Sequence, residues 1–139
     1  MRLFNINGKL VNKNVNKYLI EWDKKSRSKL QFRIKQFLRQ YWENHIVFEE
    51  FPVYGSLMKV DVINATKRIA IEVNGNQHSE FNPFFHDKSR LKYLGSIIRD
   101  YKKHEWLTKN NFKIVELEEL EEDKISVDFI KDKYGISIV

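Results

Sequence analysis

Met58-Lys-Val-Asp-Val-Ile63 and Arg68-Ile-Ala-Ile-Glu-Val-Asn74, joined by Asn64-Ala65-Thr66-Lys67, decide how this chain is read. Both runs are rich in β-branched residues and alternate in polarity, which predicts two strands and a tight turn. Side chains alternate faces along a strand. Ile69, Ile71 and Val73 therefore share an apolar face, and Ala70, Glu72 and Asn74 share the other. In the first strand Val60 and Val62 lie opposite Lys59 and Asp61. With residues 65 and 66 as the turn, Asp61 faces Ala70 and Lys59 faces Glu72. Asp61 and Glu72 are then diagonal neighbours on one face, roughly 5.5–8 Å apart. A bulge or a different turn would change this geometry.

The flanks extend the pattern. Residues 45–53 read as a strand preceding the hairpin, with Glu50 inside it. Residues 29–42 read as a helix with Leu30, Ile34, Phe37, Leu38 and Tyr41 on its inner face. Ser28 and Gln31 match a capping box. The outer face carries Arg33, Lys35, Gln36 and Arg39, a solvated face or one that follows phosphates. After an aromatic loop over 79–87, residues 88–110 predict a helix or helix pair, with Leu94, Ile97, Ile98 and Tyr101 at 3–4 spacing. Asn111 then stops the helix before a strand over Phe112–Leu117. Near the start, Asn7-Gly8 between Phe4-Asn5-Ile6 and Lys9-Leu10-Val11 predicts a two-residue hairpin. Strands before and after a crossover helix imply an α/β (α+β) fold: a mixed sheet of about four strands flanked by helices. The expected division is an N-terminal hairpin or arm over 1–25, a core over 26–120, and an extension over 121–139 packed on that core.

Bulk properties narrow the class. The 139 residues are 42% hydrophobic and include no cysteine. A core is affordable without cross-links, and disulfides, zinc ribbons and thiol catalysis are excluded. No apolar run is long enough to span a membrane, and the N-terminus lacks a signal-peptide pattern. A soluble, intracellular protein of the cytoplasm is expected. The net charge of +6 favours a nucleic-acid partner.

Two carboxylates gathered on one sheet face repel each other and push one pKa up. A bound Mg²⁺ (or Mn²⁺) relieves that cost, takes hard oxygen ligands and keeps waters for chemistry. Solvated strand acids, with Glu72 paired to Lys59, are the plainer alternative. After Glu72 the chain reads Val73-Asn74-Gly75-Asn76-Gln77-His78, which returns a proton-transfer group beside the acids.

The run Asp61, ten residues, Glu72-Val-Asn-Gly-x-Gln-His78 resembles the PD-(D/E)XK nuclease superfamily. It looks most like the branch of very-short-patch mismatch-repair and phage homing endonucleases. The helix motif of that branch, Asp-x-x-Arg-x-x-x-Leu-x-x-x-Gly-aromatic, is matched in spacing by Asp100, Lys103, Leu107, Asn111 and Phe112. The similarity covers about residues 28–117. It departs from the family at Asn74, which stands where the motif lysine belongs, at Lys103 for Arg, and at Asn111 for Gly. The first helix also lacks the family's acid.

The resemblance implies a restriction-endonuclease-like core and a metal-dependent endonuclease on DNA, of homing, repair or restriction type. Asp61 and Glu72, helped by the Val73 carbonyl, would ligate Mg²⁺ (or Mn²⁺). His78, preferred over Lys59, would replace the missing lysine, and Gln77 and Asn74 would orient water or phosphate. Asp100 and Lys103 would support the site, with Glu50 an outer ligand; Arg33, Arg39 and Lys103 would touch the backbone of the nucleic acid. Phe81, Phe84, Phe85 and His86 form either a base-stacking loop or a packed one. A double-strand cut takes a homodimer or two successive nicks. RNA and branched DNA stay open as substrates. So do two other classes: an inactive nucleic-acid-binding module with this fold, and a protein-interaction accessory factor.

Overall fold

A computed structural model describes residues 1–75 and 87–139. In chain order the elements are β1 (Arg2–Phe4), β2 (Leu10–Asn12), α1 (Lys29–Trp42), β3 (Val47–Pro52), β4 (Lys59–Asn64), β5 (Ile69–Asn74), α2 (Asp87–Lys109), β6 (Lys113–Glu118) and α3 (Val127–Tyr134). Short 3₁₀ turns lie at Asn16–Tyr18 and Glu119–Lys124. Strands β3, β4, β5 and β6 form one mixed sheet in that order. The first three are antiparallel, and β6 runs parallel to β5 after the α2 crossover. The expected mixed sheet, flanking helices and small N-terminal hairpin are all present.

Each face of the sheet buries its own core. Ile34, Leu38 and Trp42 of α1 pack on Val62, Ile69, Ile71, Val115 and Leu117, together with Ile130, Ile136 and Ile138 from the C-terminal segment. Trp42 Nε1 donates to the Ile138 carbonyl at 2.7 Å, which ties that segment to α1. On the other face, Leu3, Trp106, Leu107 and Phe112 pack on Phe48, Phe51, Val60, Ile63 and Ala70. The C-terminal residues thus complete a core.

Ser28 caps α1 as expected, its Oγ accepting from Gln31 N at 3.1 Å. The second half of the capping box is missing. Gln31 Nε2 donates instead to Glu49 Oε2 and Glu50 Oε1, each at 3.0 Å. Lys35, expected on the outer face of α1, is fully buried. Its Nζ donates to Glu49 Oε1 at 2.9 Å and to the Lys24 carbonyl at 2.8 Å.

Helix α2 is a single helix. Its C-terminal Trp106 and Leu107 are buried, while Leu94, Ile97, Ile98 and Tyr101, at core-like spacing, are exposed. The exposed set lies on the helix face opposite Arg99, Lys103, Trp106 and Leu107, which turn toward the sheet. Asn111 takes the left-handed conformation (φ 65°) that ends the helix.

The N-terminal hairpin has a longer loop than the two residues expected. Asn5 N donates to the Lys9 carbonyl at 2.8 Å and Gly8 N to the Asn5 carbonyl at 2.9 Å, leaving residues 6–8 as a three-residue loop. Gly8 supplies the positive φ of 84° that such a loop needs at its last position. Among the described residues, no helix is long and apolar enough to cross a membrane.

Candidate functional site

The turn between β4 and β5 sets the site. Val62 pairs with Ile71, Ile63 with Ala70, and Asn64 with Ile69. The loop is therefore Ala65–Arg68, two residues longer than expected. Asn64 Oδ1 accepts from Lys67 N at 2.8 Å, and Arg68 closes the loop with φ 59°. A two-residue shift preserves the shared face of Asp61 and Glu72. It moves Asp61 from opposite Ala70 to opposite Glu72, and it removes Lys59 from opposite Glu72.

Strand alternation is interrupted at this same level. Glu49↔Val62 and Phe51↔Val60 bracket a rung occupied by Glu50 and Asp61. Glu50 has φ 52°, a conformation costly for a residue with a Cβ. Val60 and Ile63 consequently both face the α2 side, with Val62 on the α1 side. The β4–β5 ladder ends at Val62↔Ile71. Beyond it, Val73 N donates to the Asp61 carboxylate, Oδ2, at 2.8 Å. The Asp61 side chain thus takes the place of a backbone acceptor.

Asp61 and Glu72 are 4% and 6% exposed. Lys103 Nζ, reaching in from α2, lies 3.2 Å from Glu72 Oε1. That is ion-pair distance without hydrogen-bond geometry, and Glu72 Oε1 is left with no hydrogen-bond partner. Burial pushes the Glu72 carboxyl up to about 8; the Asp61 charge adds to the shift and Lys103 opposes it. At neutral pH, with no cation bound, the carboxylate pair therefore holds a proton. Arg27 stands further out, its Nη2 3.7 Å from Asp61 Oδ1.

A pocket of about 290 Å³ opens on these groups. Asp61, Glu72, Val73, Asn74, Lys59, Asp100 and Lys103 line it, so the structure brings together most of the residues expected at the site. Asn74 Nδ2 donates to Glu118 Oε1 at 3.3 Å. Lys59 stays exposed at the rim, and the ammonium beside Glu72 is that of Lys103. Glu50 is turned toward Gln31, outside the lining. Arg33 and Arg39 lie elsewhere, paired with Glu122 and with Asp23 and Glu43. Gln77 and His78, and the aromatic residues Phe81, Phe84, Phe85 and His86, fall outside the described residues.

Arg27, Arg99 and Glu118 also line the pocket. Arg99 was legible in principle, because it stands one turn before Lys103 on α2. Arg27 precedes the Ser28 cap in irregular chain, and no periodicity marks it.

The arrangement fits a hard divalent cation in donor type: two opposed carboxylates, one with an unbonded buried oxygen. Among the described residues, no group of three or more His, Asp or Glu side chains stands where it would hold a metal ion. Mg²⁺ bound by one or two carboxylates retains several waters, so two suffice.

No family model and no solved structure matches the chain. Over 66 residues it is 30% identical to uncharacterized protein 033L of Invertebrate iridescent virus 3. The match covers 48% of this chain and 34% of the viral protein.

Proposed function

We propose that the chain is a metal-dependent endodeoxyribonuclease of the PD-(D/E)XK type. One observation carries the reading: two buried carboxylates from adjacent strands face each other, and a lysine ammonium from the crossover helix stands 3.2 Å from one of them. A purely structural acid pair would be fully hydrogen-bonded, and here the buried Glu72 Oε1 is not.

Asp61 and Glu72 would hold Mg²⁺ (or Mn²⁺), with the Val73 carbonyl as a further donor. Bound there, the ion supplies a bound water of lowered pKa and neutralises charge on the phosphate. Lys103 occupies the role left open by Asn74. Its Nζ orients Glu72 and places a positive charge where the phosphorane charge develops. An imidazole nitrogen of His78 accepts the proton of the attacking water. Water oxygen bonds to phosphorus, the bond to the leaving sugar oxygen breaks, and that oxygen is protonated from solvent. Asp100 and Asn74 keep the pocket polar, and Lys59 and Arg27 attract the phosphate to its mouth.

The test is nicking of supercoiled plasmid at low salt with Mg²⁺, Mn²⁺ or EDTA, comparing wild type with Glu72→Ala, Lys103→Ala and His78→Ala. Metal-dependent nicking that disappears in Glu72→Ala and drops sharply in the other two is expected. An intact plasmid with both metals, while DNA still retards the protein in a gel, would replace this reading with a binding module.

A further inference from the structure

Outside the carboxylate pocket lies a larger open groove of about 970 Å³. Its walls are the N-terminal hairpin loop (Asn5–Gly8), the β3–β4 turn (Gly55–Met58) and the outer face of α2. We propose that this groove holds the substrate strand on one side of the scissile phosphate, with Lys102 and Lys109 on its phosphates and Leu57 against a base. The proposal rests on the nuclease reading for the position of that phosphate.

Continuity is the first argument. Arg99 lines both the groove and the carboxylate pocket. Leu57, Met58 and Lys59 line the passage between them, with Lys103 on its far wall. A strand leaving the acids thus meets this groove.

Charge is the second. Arg99, Lys102 and Lys109 face the groove against a single acid, Glu105. Among the described residues, none of the three cations forms an ion pair; Lys109 Nζ lies 5.1 Å from the Phe4 ring centroid. On α1, by contrast, Arg33 and Arg39 are already neutralised by carboxylates. From Arg99 to Lys109 the helix rises about 15 Å, which matches about four nucleotides of a strand at ~3.4 Å each.

Rigidity is the third. The hairpin is a fixed wall. Trp106 Nε1 donates to the Phe4 carbonyl at 2.6 Å, Phe4 N donates to Asn110 Oδ1 at 2.8 Å, and Ile6 N donates to the Tyr54 carbonyl at 2.8 Å. A preformed wall costs no ordering on binding. Leu57 stands fully exposed where groove and passage meet. An apolar side chain so placed is suited to contact with a base face.

The experiment measures binding of a short labelled duplex and of its single strand by anisotropy, in EDTA and again with Ca²⁺, across a salt series. Plasmid nicking with Mg²⁺ is measured on the same proteins. The paired change Lys102→Gln and Lys109→Gln, both exposed, should lower the slope of log K against log salt by about 1.8, two phosphate contacts at ~0.9 each. Leu57→Ala should weaken binding several-fold at every salt with the slope unchanged. Wild type that binds and nicks, with slope and nicking unaltered by the paired lysine change, overturns the groove and leaves the nuclease intact. A slope that falls in the lysine variant while no metal gives nicking supports the groove and removes the catalytic reading. Wild type that binds neither duplex nor single strand sinks both.

Discussion

Two buried clusters of charge lie on opposite faces of the same sheet, and they are built on different principles. On the α1 face, Lys35 is matched by Glu49. Lys35 Nζ has two acceptors, and both Glu49 oxygens are taken, Oε1 by Lys35 and Oε2 by Ser26 and Gln31. On the α2 face, Asp61 and Glu72 bring two like charges together against Lys103, and one Glu72 oxygen has no hydrogen bond. In the first cluster carboxylate and ammonium are paired one to one, although Gln31 Oε1 beside them has no hydrogen-bond partner. In the second the two carboxylates crowd each other, with Lys103 near one and Arg27 near the other, and they open to a pocket lined by further charged side chains. Burial alone therefore does not separate the two clusters; the close approach of like charges at Asp61 and Glu72 does.

The largest expected effect comes from breaking the Lys35–Glu49 pair. Lys35→Ala leaves the largely buried Glu49 without its cation. It should cost about 3–5 kcal/mol of stability, read from the midpoint of urea unfolding. The equivalent change on the other face has the opposite sign. Glu72→Gln removes a like-charge repulsion, so the metal-free protein should unfold at higher urea than wild type at pH 8. Its nicking rate should nevertheless fall about 10²–10³-fold, the scale of losing one electrostatic stabiliser.

The pH dependence sharpens the contrast. The Glu72 carboxyl is raised in the folded protein from 4.5 to about 8. The folded state then binds the proton more tightly than the unfolded one. This favours folding fully below about 4.5, and the gain is lost as pH rises through about 8. Melting of the metal-free protein should thus shift to lower temperature across that window. Glu72→Gln should flatten the decline, and Mg²⁺ should reverse it by stabilising the ionised pair. A decline of the same steepness in Glu72→Gln would assign it to other groups. The smallest effect belongs to an exposed pair. Asp23→Asn, which removes one of the two carboxylates paired with Arg39 at the surface, should change stability by less than about 1 kcal/mol.

The sequence carried the strands, both long helices, the Ser28 cap and the Asn111 stop, because each follows from a local period or a local backbone preference. Asp61 and Glu72 were legible as neighbours on one face, since alternation is a property of each strand alone. Their direct opposition was not. It depends on the Ala65–Arg68 loop, where the Asn64 side chain and the positive φ of Arg68 lengthen the turn by two residues. The cation beside Glu72 was legible only through the family resemblance, which made Lys103 a supporting residue. The hairpin suggested Lys59 from the same sheet, whereas Lys103 arrives from α2 because β6 returns parallel to β5 and draws the crossover helix over that face. Lys35 reads as a surface residue by its charge, although it shares a helix face with Gln31, Leu38 and Trp42. Only the packing of α1 on β3 puts Glu49, Gln31 and the Lys24 carbonyl around it.

What the amino-acid sequence determined by itself is most of the elements and the presence of paired acids on one sheet face. What tertiary structure alone decided is which charges face each other. The reason is physical. Periodicity and capping act over a few residues and are written locally. Register, desolvation and ion pairing depend on where distant segments come to rest.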